Sequence, residues 1–411
     1  MVVAVAGVLP MVNAVRRYDW GSTTLLPALR GETGDGRPEA EIWMGAHPDD
    51  SSQLVTPDGT ELVLADLLAD SGAAVAGPGV VAQHGDRLPY LLKLLAADAP
   101  LSIQLHPDAA QAAAGYADEE AAGVPRDDPA RCYRDPYAKP EMLVPLGPFV
   151  ALVGLRTPAA ARRLLAQVGP ATDAVVVDDD HTDGSLETVR RLLSLPAGER
   201  RALADAAAAA AARYADPAAA GDAATGDAWT WVTRLVERYP EDPAVVMPLV
   251  LEVMTFRAGE AVYLPAGVLH AYLYGLGVEV MGASDNVLRA GLTSKHVDVA
   301  LVVSTARSAT EPARRLQAVP TGDGWERWAA PVDAFDLRRR RVGADRVACA
   351  TSGGPEIILC VEGRASVSAG GSSVPLPPGA SAFVPASTTE ITLSGPAVVF
   401  RCAVPATARP A

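Results

Sequence analysis

Apolar residues in this 411-residue chain fall in short runs broken by Gly, Pro and Asp over 1–155 and 241–310, a texture that predicts β-strands. Between these stretches the period changes. Leu186, Val189, Leu192 and Leu193 recur at helical spacing, and helices are predicted over 158–168, 185–195, 198–214 and 229–238. Thr157 followed by Pro158 supplies an N-cap and a first helical position, while Pro196 and Pro217 punctuate the rest. Residues 157–240 therefore read as a helical insertion in a β domain built from 1–156 and 241–312. From 313 to 411 short strands return, at 356–361, 365–368, 380–384, 390–393 and 397–402, spaced as in a small barrel or sandwich.

Two apolar stretches invite other readings. The opening, 1–15, reads as a first strand and not as a signal peptide, because no Lys or Arg precedes it and Arg16 and Arg17 lie on its far side. The alanine run 206–212 is short of the roughly 20 residues of a membrane span. An internal echo is more informative. Arg257 to His270 aligns without a gap to Pro377 to Glu390, matching Gly259 with Gly379, Tyr263 with Phe383, and Pro265-Ala266 with Pro385-Ala386. His270 falls opposite Glu390, so the chain reads as two related β units of which the second has lost its histidine.

Composition narrows the function classes. With 49% apolar and 20% charged residues the chain can bury more than one core, since single cores stop growing at roughly 250–300 residues. A formal charge of −14 and a pI near 4.9 argue against nucleic-acid and anionic-membrane partners, and any phosphate would need a local basic pocket. Cys132, Cys349, Cys360 and Cys402 show no Cys-x-x-Cys spacing, which suits a reducing, cytoplasmic setting.

The candidate chemistry begins at Leu101–His106. In a strand Ser102, Gln104 and His106 share one face and Leu101, Ile103 and Leu105 the other, so Gln and His at i, i+2 can reach one metal. Taken alone, such a stripe is more often a solvated strand face. The spacing Gly259, Pro265, Gly267, His270 converges with it, because it resembles the second metal-binding motif of the cupin superfamily. Departures are informative: Tyr274 stands where an asparagine is usual, Gln104-x-His106 replaces His-x-His, and Ala110 and Gln111 stand where an acid would fall. Asp135-Pro-Tyr-Ala-Lys-Pro-Glu-Met142 resembles the K-P-E-M signature of type I phosphomannose isomerases. Ala40 to Pro48, Tyr18 to Gly21 and the long block Gly277 to Asp298 resemble further segments of that family, in family order.

The resemblance implies a mainly β protein with two cupin-type (jelly-roll) barrels and an α-helical domain: a catalytic cupin domain from 1–156 and 241–312, the insertion 157–240, and a C-terminal barrel 313–411 without a metal site. It implies one Zn2+ per chain, held by Gln104, His106, Glu141 and His270, and interconversion of mannose 6-phosphate and fructose 6-phosphate through a cis-enediol. Two imidazoles, a carboxylate and a neutral amide are a sensible zinc set. Glu279, between Val278 and Val280, is the candidate base, with partnership to a zinc histidine as its alternative role. Arg289 is assigned to the enediolate or the phosphate, and Lys295 and Asp285 to ring opening and proton shuttling. Lys93, Lys139 and Ser102 are further phosphate candidates, Lys93 because it interrupts the apolar run 91–95; Tyr272 and Trp20 complete the substrate set. His47 reads as structural, His84 and His181 as surface groups, and His296 as a neighbour of the site. A monomer acting on a small sugar phosphate, in the supply of mannose and activated mannose, is expected. An iron oxygenase or other metal cupin enzyme is disfavoured by the Lys139-Pro-Glu141 and Asp285–Arg289 blocks, and a non-catalytic binder by the intact Glu141, His270, Glu279 and Arg289.

Overall fold

One long strand organises the site-bearing half of the molecule. The computed structural model describes residues 7–177, 183–219, 221–308 and 314–405. In it His270–Gly282 changes partners midway: its first half pairs with Gln104–Leu105 and Phe149–Leu155, its second with Tyr90–Ala97 and Glu141–Pro145. The changeover is a bulge between Tyr272 and Tyr274. Gly275 follows it with φ of 123°, where a Cβ would lie 2.5 Å from the Phe149 ring, so no other residue fits there.

Side-chain alternation divides the strands between two layers. On Phe149–Leu155, Val150 and Leu152 join a helix-facing cluster, whereas Phe149, Ala151 and Val153 join the cluster that lines the site. The helix-facing cluster takes Val189, Leu192, Leu203, Ala207, Ala211, Val232 and Leu235 from Gly184–Leu193, Ala197–Tyr214 and Ala228–Arg238. Those three helices, with Pro158–Leu165, fall where the sequence predicts them, and Thr157 accepts from the Ala160 N–H as the expected cap. The other face of the site-bearing sheet's central strands, through Leu92, Leu94, Met142, Val278 and Val280, packs on Ile357, Leu359, Phe383 and Phe400 of a second large sheet.

That second sheet has nine strands, and its order carries a surprise. Leu9–Val12 pairs with Ser381–Val384 and then with Gln53–Val55, so three strands from the start of the chain extend the sheet of the C-terminal segment. A four-stranded sheet, ordered Val347–Ala350, Glu390–Ser394, Ala365–Ala369, Ser372–Leu376, closes over its other face around Ile358, Cys360, Val367, Ile391 and Val399. The internal echo is visible as local geometry. Gly259 and Gly379 take φ of 88° and 84°, each leads into a strand, and His270 and Glu390 each open the next one.

Several expectations need correction. The first 155 residues also contain the helices Leu25–Arg30, Leu64–Val75, Pro78–His84 and Ala109–Ala121, in a stretch predicted as β. Asp108 and Gln111 form a reciprocal capping box at the last of these, a signal present in the sequence but outweighed by the surrounding turn residues. The predicted strand 101–106 forms a ladder only over Gln104–Leu105, and Leu101 packs with the inner cluster because its N–H is drawn to the Tyr272 carbonyl. Among the described residues the large sheets run as open paths and not as closed barrels. None of the described helices is long and apolar enough to cross a membrane. His181 and the first six residues lie outside the described residues.

Leu152 is fully buried where the site-bearing sheet meets the helices. Leu152→Ala is expected to cost roughly 2–5 kcal/mol, measured as a lower denaturant midpoint at unchanged slope.

Candidate metal centre and cleft

The ladder sets several polar side chains in one row. Arg289, Gln104 and His270 are successive cross-strand partners, so their side chains leave the sheet on the same face, and His106, two residues past Gln104, joins them. Glu141 opens its own strand one step away, opposite Met281 and Leu264. Its two carboxylate oxygens stand 3.2 Å from His106 Nε2 and 3.2 Å from His270 Nε2, all three side chains being buried.

The tautomers of both rings follow from their other nitrogens. His106 Nδ1 donates to the Asn286 carbonyl at 2.7 Å and His270 Nδ1 to the Val268 carbonyl at 2.9 Å. A carbonyl oxygen only accepts, so each Nδ1 carries a proton, and each ring turns Nε2 toward Glu141 as the atom free to bind a cation. Burial holds His106 at a pKa of about 4, against the pull of Glu141. Burial would raise the Glu141 pKa, yet His106 and Lys139 hold it well below the usual carboxylate range. Both Nε2 atoms thus face an ionised carboxylate, with no well-aligned hydrogen bond at either. Two imidazole nitrogens and a carboxylate converging in a buried place fit a divalent cation. Gly267 turns the hairpin with φ of 78°, its N–H donating to the His106 carbonyl, and a Cβ there would meet the Thr305 carbonyl at 2.7 Å.

A second cluster, His47, Asp49 and Asp285, has the opposite character. The Asp49 N–H donates to His47 Nδ1, so Nε2 carries the proton and donates to Asp285 Oδ1 at 3.1 Å. That is a hydrogen-bonded pair. Burial alone would raise the Asp285 pKa, and the bond from His47 lowers it overall. His47, expected to be structural, therefore orients a predicted site residue.

The four cations named from sequence separate into two groups. Lys93 is buried between Glu41 and Glu279, at 3.2 and 3.3 Å, and Trp43 Nε1 donates to the far oxygen of Glu41. Burial disfavours the Lys93 ammonium, but Glu41, Glu279 and Glu141 outweigh it and raise its pKa. Lys139 pairs with Glu141 at 3.3 Å. Arg289 and exposed Lys295 have no carboxylate partner among the described residues; burial lowers the pKa of each, and Arg134 lowers both further. Arg134 was not picked out from sequence, because nothing local distinguishes it from an ordinary surface arginine.

Glu279 has a raised pKa, from burial first and from Glu141 and Glu41, opposed by Lys93. It bonds neither metal-site imidazole, whose Nδ1 atoms are both taken by carbonyls, so its alternative role as a histidine partner does not hold. Tyr272 is fully buried, its phenol pushed well up by burial and by Glu279. Trp20 stacks on Tyr18, Ser102 is half-buried two residues before Gln104, and His296 lines a small cavity with Cys132 and Arg289. His84, expected on the surface, is half-buried with its Nε2 out of water.

Comparison with known proteins agrees with this geometry. Residues 8–158 match the catalytic domain of type I phosphomannose isomerase, and residues 342–404 the cupin domain of mannose-6-phosphate isomerase. The chain is 36% identical over 390 residues to the mannose-6-phosphate isomerase of Escherichia coli K12, covering 94% of this chain and 96% of that one. The chain belongs to the type I phosphomannose isomerase family. The human mannose-6-phosphate isomerase is 30% identical over 312 residues, covering 71% of each chain. A zinc-bound crystal structure of mannose 6-phosphate isomerase superposes with a TM-score of 0.87 at 32% identity, covering 97% of this chain and 99% of that one. The Salmonella typhimurium enzyme bound to fructose 6-phosphate and zinc matches equally well, also at 0.87. The region matched to the phosphomannose isomerase catalytic domain carries Gln104, His106 and Glu141, whereas His270, Glu279 and Arg289 lie beyond it and reach the same face only through the fold.

Removing a donor from the triad leaves two buried groups facing each other across an empty ligand position. His270→Ala and Glu141→Ala are each expected to purify with less than stoichiometric metal, measured by elemental analysis. Gly267→Ala is expected to weaken metal binding in the same assay with all donors present.

Proposed function

We propose that this protein interconverts mannose 6-phosphate and fructose 6-phosphate through a cis-enediol, with one zinc ion held by Gln104, His106, Glu141 and His270. The observation that carries the proposal is the convergence of His106, Glu141 and His270, at 3.2 Å contacts, in a buried cleft. Gln104 is included because its register beside His270, two residues from His106, sends its side chain to the same face. Relatives named mannose-6-phosphate isomerase, and neighbours solved with zinc and with fructose 6-phosphate, support the assignment. When bound, zinc supplies a Lewis acid that orients and polarises the sugar oxygens.

The chain's own groups divide the remaining work. The reaction moves a proton between C2 and C1 on one face of the open-chain sugar, and a carboxylate with a raised pKa is suited to carry it. In our reading Glu279 takes that proton and returns it, with the Lys93 ammonium steadying its charge at 3.3 Å. Asp285, held by the His47 N–H, serves ring opening, and Lys139 beside Glu141 lies toward the same end. Arg289, Lys295 and Arg134 take the phosphate, because Arg289 and Lys295 have no carboxylate partner among the described residues, Arg134 adds to the charge on both, and an anion relieves their mutual repulsion. Ser102, Tyr272 and Trp20 line the sugar.

At the level of architecture, we read 1–156 and 241–312 as a catalytic cupin domain, 157–240 as the helical domain and 313–411 as a metal-free cupin-like unit. Layering of the helices on one side of the site-bearing sheet supports the first division, although Leu9–Val12 crosses the last one. Four cysteines without a disulfide among them fit a cytoplasmic role in the supply of activated mannose. A monomer is our expectation.

Following mannose 6-phosphate conversion before and after chelation, then with zinc restored, tests the central claim: activity is expected to vanish and return. Full activity in verified metal-free protein would refute it. Arg134→Ala is expected to raise KM about 10–100-fold through loss of a charged contact, with zinc content unchanged.

A further inference from the structure

The cation cluster and the metal centre lie on different loops, and one side chain joins them. Asn286 is fully buried and every polar group it owns is engaged. Its Oδ1 accepts from the Arg134 N–H at 2.7 Å and the Asp135 N–H at 3.3 Å; its Nδ2 donates to the Asp135 carbonyl at 2.7 Å and the Tyr137 carbonyl at 2.9 Å. Its own N–H donates to Ser284 Oγ, which in turn donates to the Tyr137 carbonyl. Its own carbonyl accepts from His106 Nδ1 at 2.7 Å. Asp285 adds a parallel tie, its N–H donating to Asp135 Oδ2 at 2.7 Å.

Chemistry explains the residue type. The Oδ1 side faces two N–H groups and the Nδ2 side faces two carbonyls, so the amide fits in one orientation and is saturated in it. A carboxylate of the same shape would turn an oxygen against both carbonyls. An alanine would leave the Arg134 and Asp135 N–H groups and the Asp135 carbonyl without this partner, and the Tyr137 carbonyl with Ser284 Oγ alone, each loss costing more than the bond contributed.

We propose that Asn286 is the positioning residue that couples metal binding to phosphate binding. It fixes the carbonyl that sets the His106 tautomer, and with the same amide it fixes the segment carrying Arg134. Outer partners of metal-bound histidines set ring orientation and ligand strength. Here that partner is a backbone oxygen whose direction depends on contacts made by its own side chain. Loosening the amide therefore disturbs zinc affinity and substrate affinity together, through one loop. The inference rests on the zinc isomerase reading above, and its zinc arm stands without turnover.

Asn286→Asp and Asn286→Ala test it, with Ile358→Ala in the C-terminal core as a variant that is destabilised away from the site. Zinc affinity is read by competition with a chromophoric chelator, and KM for mannose 6-phosphate at saturating zinc. Both Asn286 variants are expected to lose zinc affinity about 10–100-fold and to keep a raised KM once zinc is saturating, whereas Ile358→Ala changes only thermal stability. Should either variant fold poorly, Ser284→Ala, which removes one strut of the same turn, is expected to shift both quantities in the same direction by less. Folded Asn286 variants with wild-type zinc affinity and KM would overturn the proposal, whatever their loss in Tm. If the wild-type protein binds zinc but does not turn over the sugar phosphate, the functional reading fails and the chelator arm alone decides the role of Asn286.

Discussion

The site depends on keeping two imidazoles and an ionised carboxylate together in a buried place. Such an arrangement is costly without a cation, since the carboxylate is desolvated. The protein holds it by anchoring each ring from behind: the Nδ1 protons are committed to backbone carbonyls, which cannot give a proton back. Lys139 supplies part of the missing positive charge at Glu141. The contrast with His47 shows that tautomer is the deciding variable, since there the buried ring turns its N–H toward Asp285 and makes a hydrogen bond in place of a metal site.

Sheet geometry does the rest of the positioning. By changing partners at Tyr272–Tyr274, the strand His270–Gly282 brings the strand bearing Gln104 and the strands bearing Lys93 and Glu141 around one cleft. Alternation then sorts each strand, with Val150, Leu152, Ile103 and Leu105 entering the helical layer and the polar residues facing the cleft. Rigid, doubly covered strands suit a site whose ligand atoms must stay within tenths of an ångström.

Charge is organised against the background of a strongly acidic chain. Lys93 is enclosed by carboxylates, which keeps it protonated and ties Glu279 in place, whereas Arg134, Arg289 and Lys295 are left facing one another. A net charge of −14 repels a phosphorylated sugar at long range, so binding relies on that local concentration of cations.

Much of this was legible in the chain itself. The helices at 158–238 announced themselves because their buried faces repeat at 3.6 residues; His106 and His270 stood out by their spacing, and Glu141 by the resemblance of Lys139 to Met142 to the family signature. The helix Ala109–Ala121 was obscured, since it buries little beyond Ala112 and so leaves almost no apolar period to read. Arg134, Glu41 and Asn286 were invisible for another reason: their roles are set by partners between 52 and 180 residues away in the chain. Local pattern therefore determined the helices of the insertion, the short strands of the C-terminal segment, the histidine metal-ligand candidates and the general charge balance of this protein, but not the four helices within the first 155 residues. Only the tertiary structure decided which cations are neutralised, which tautomer each histidine holds and which strand from the start of the chain completes the C-terminal sheet, because those depend on contacts between groups that no local period brings together.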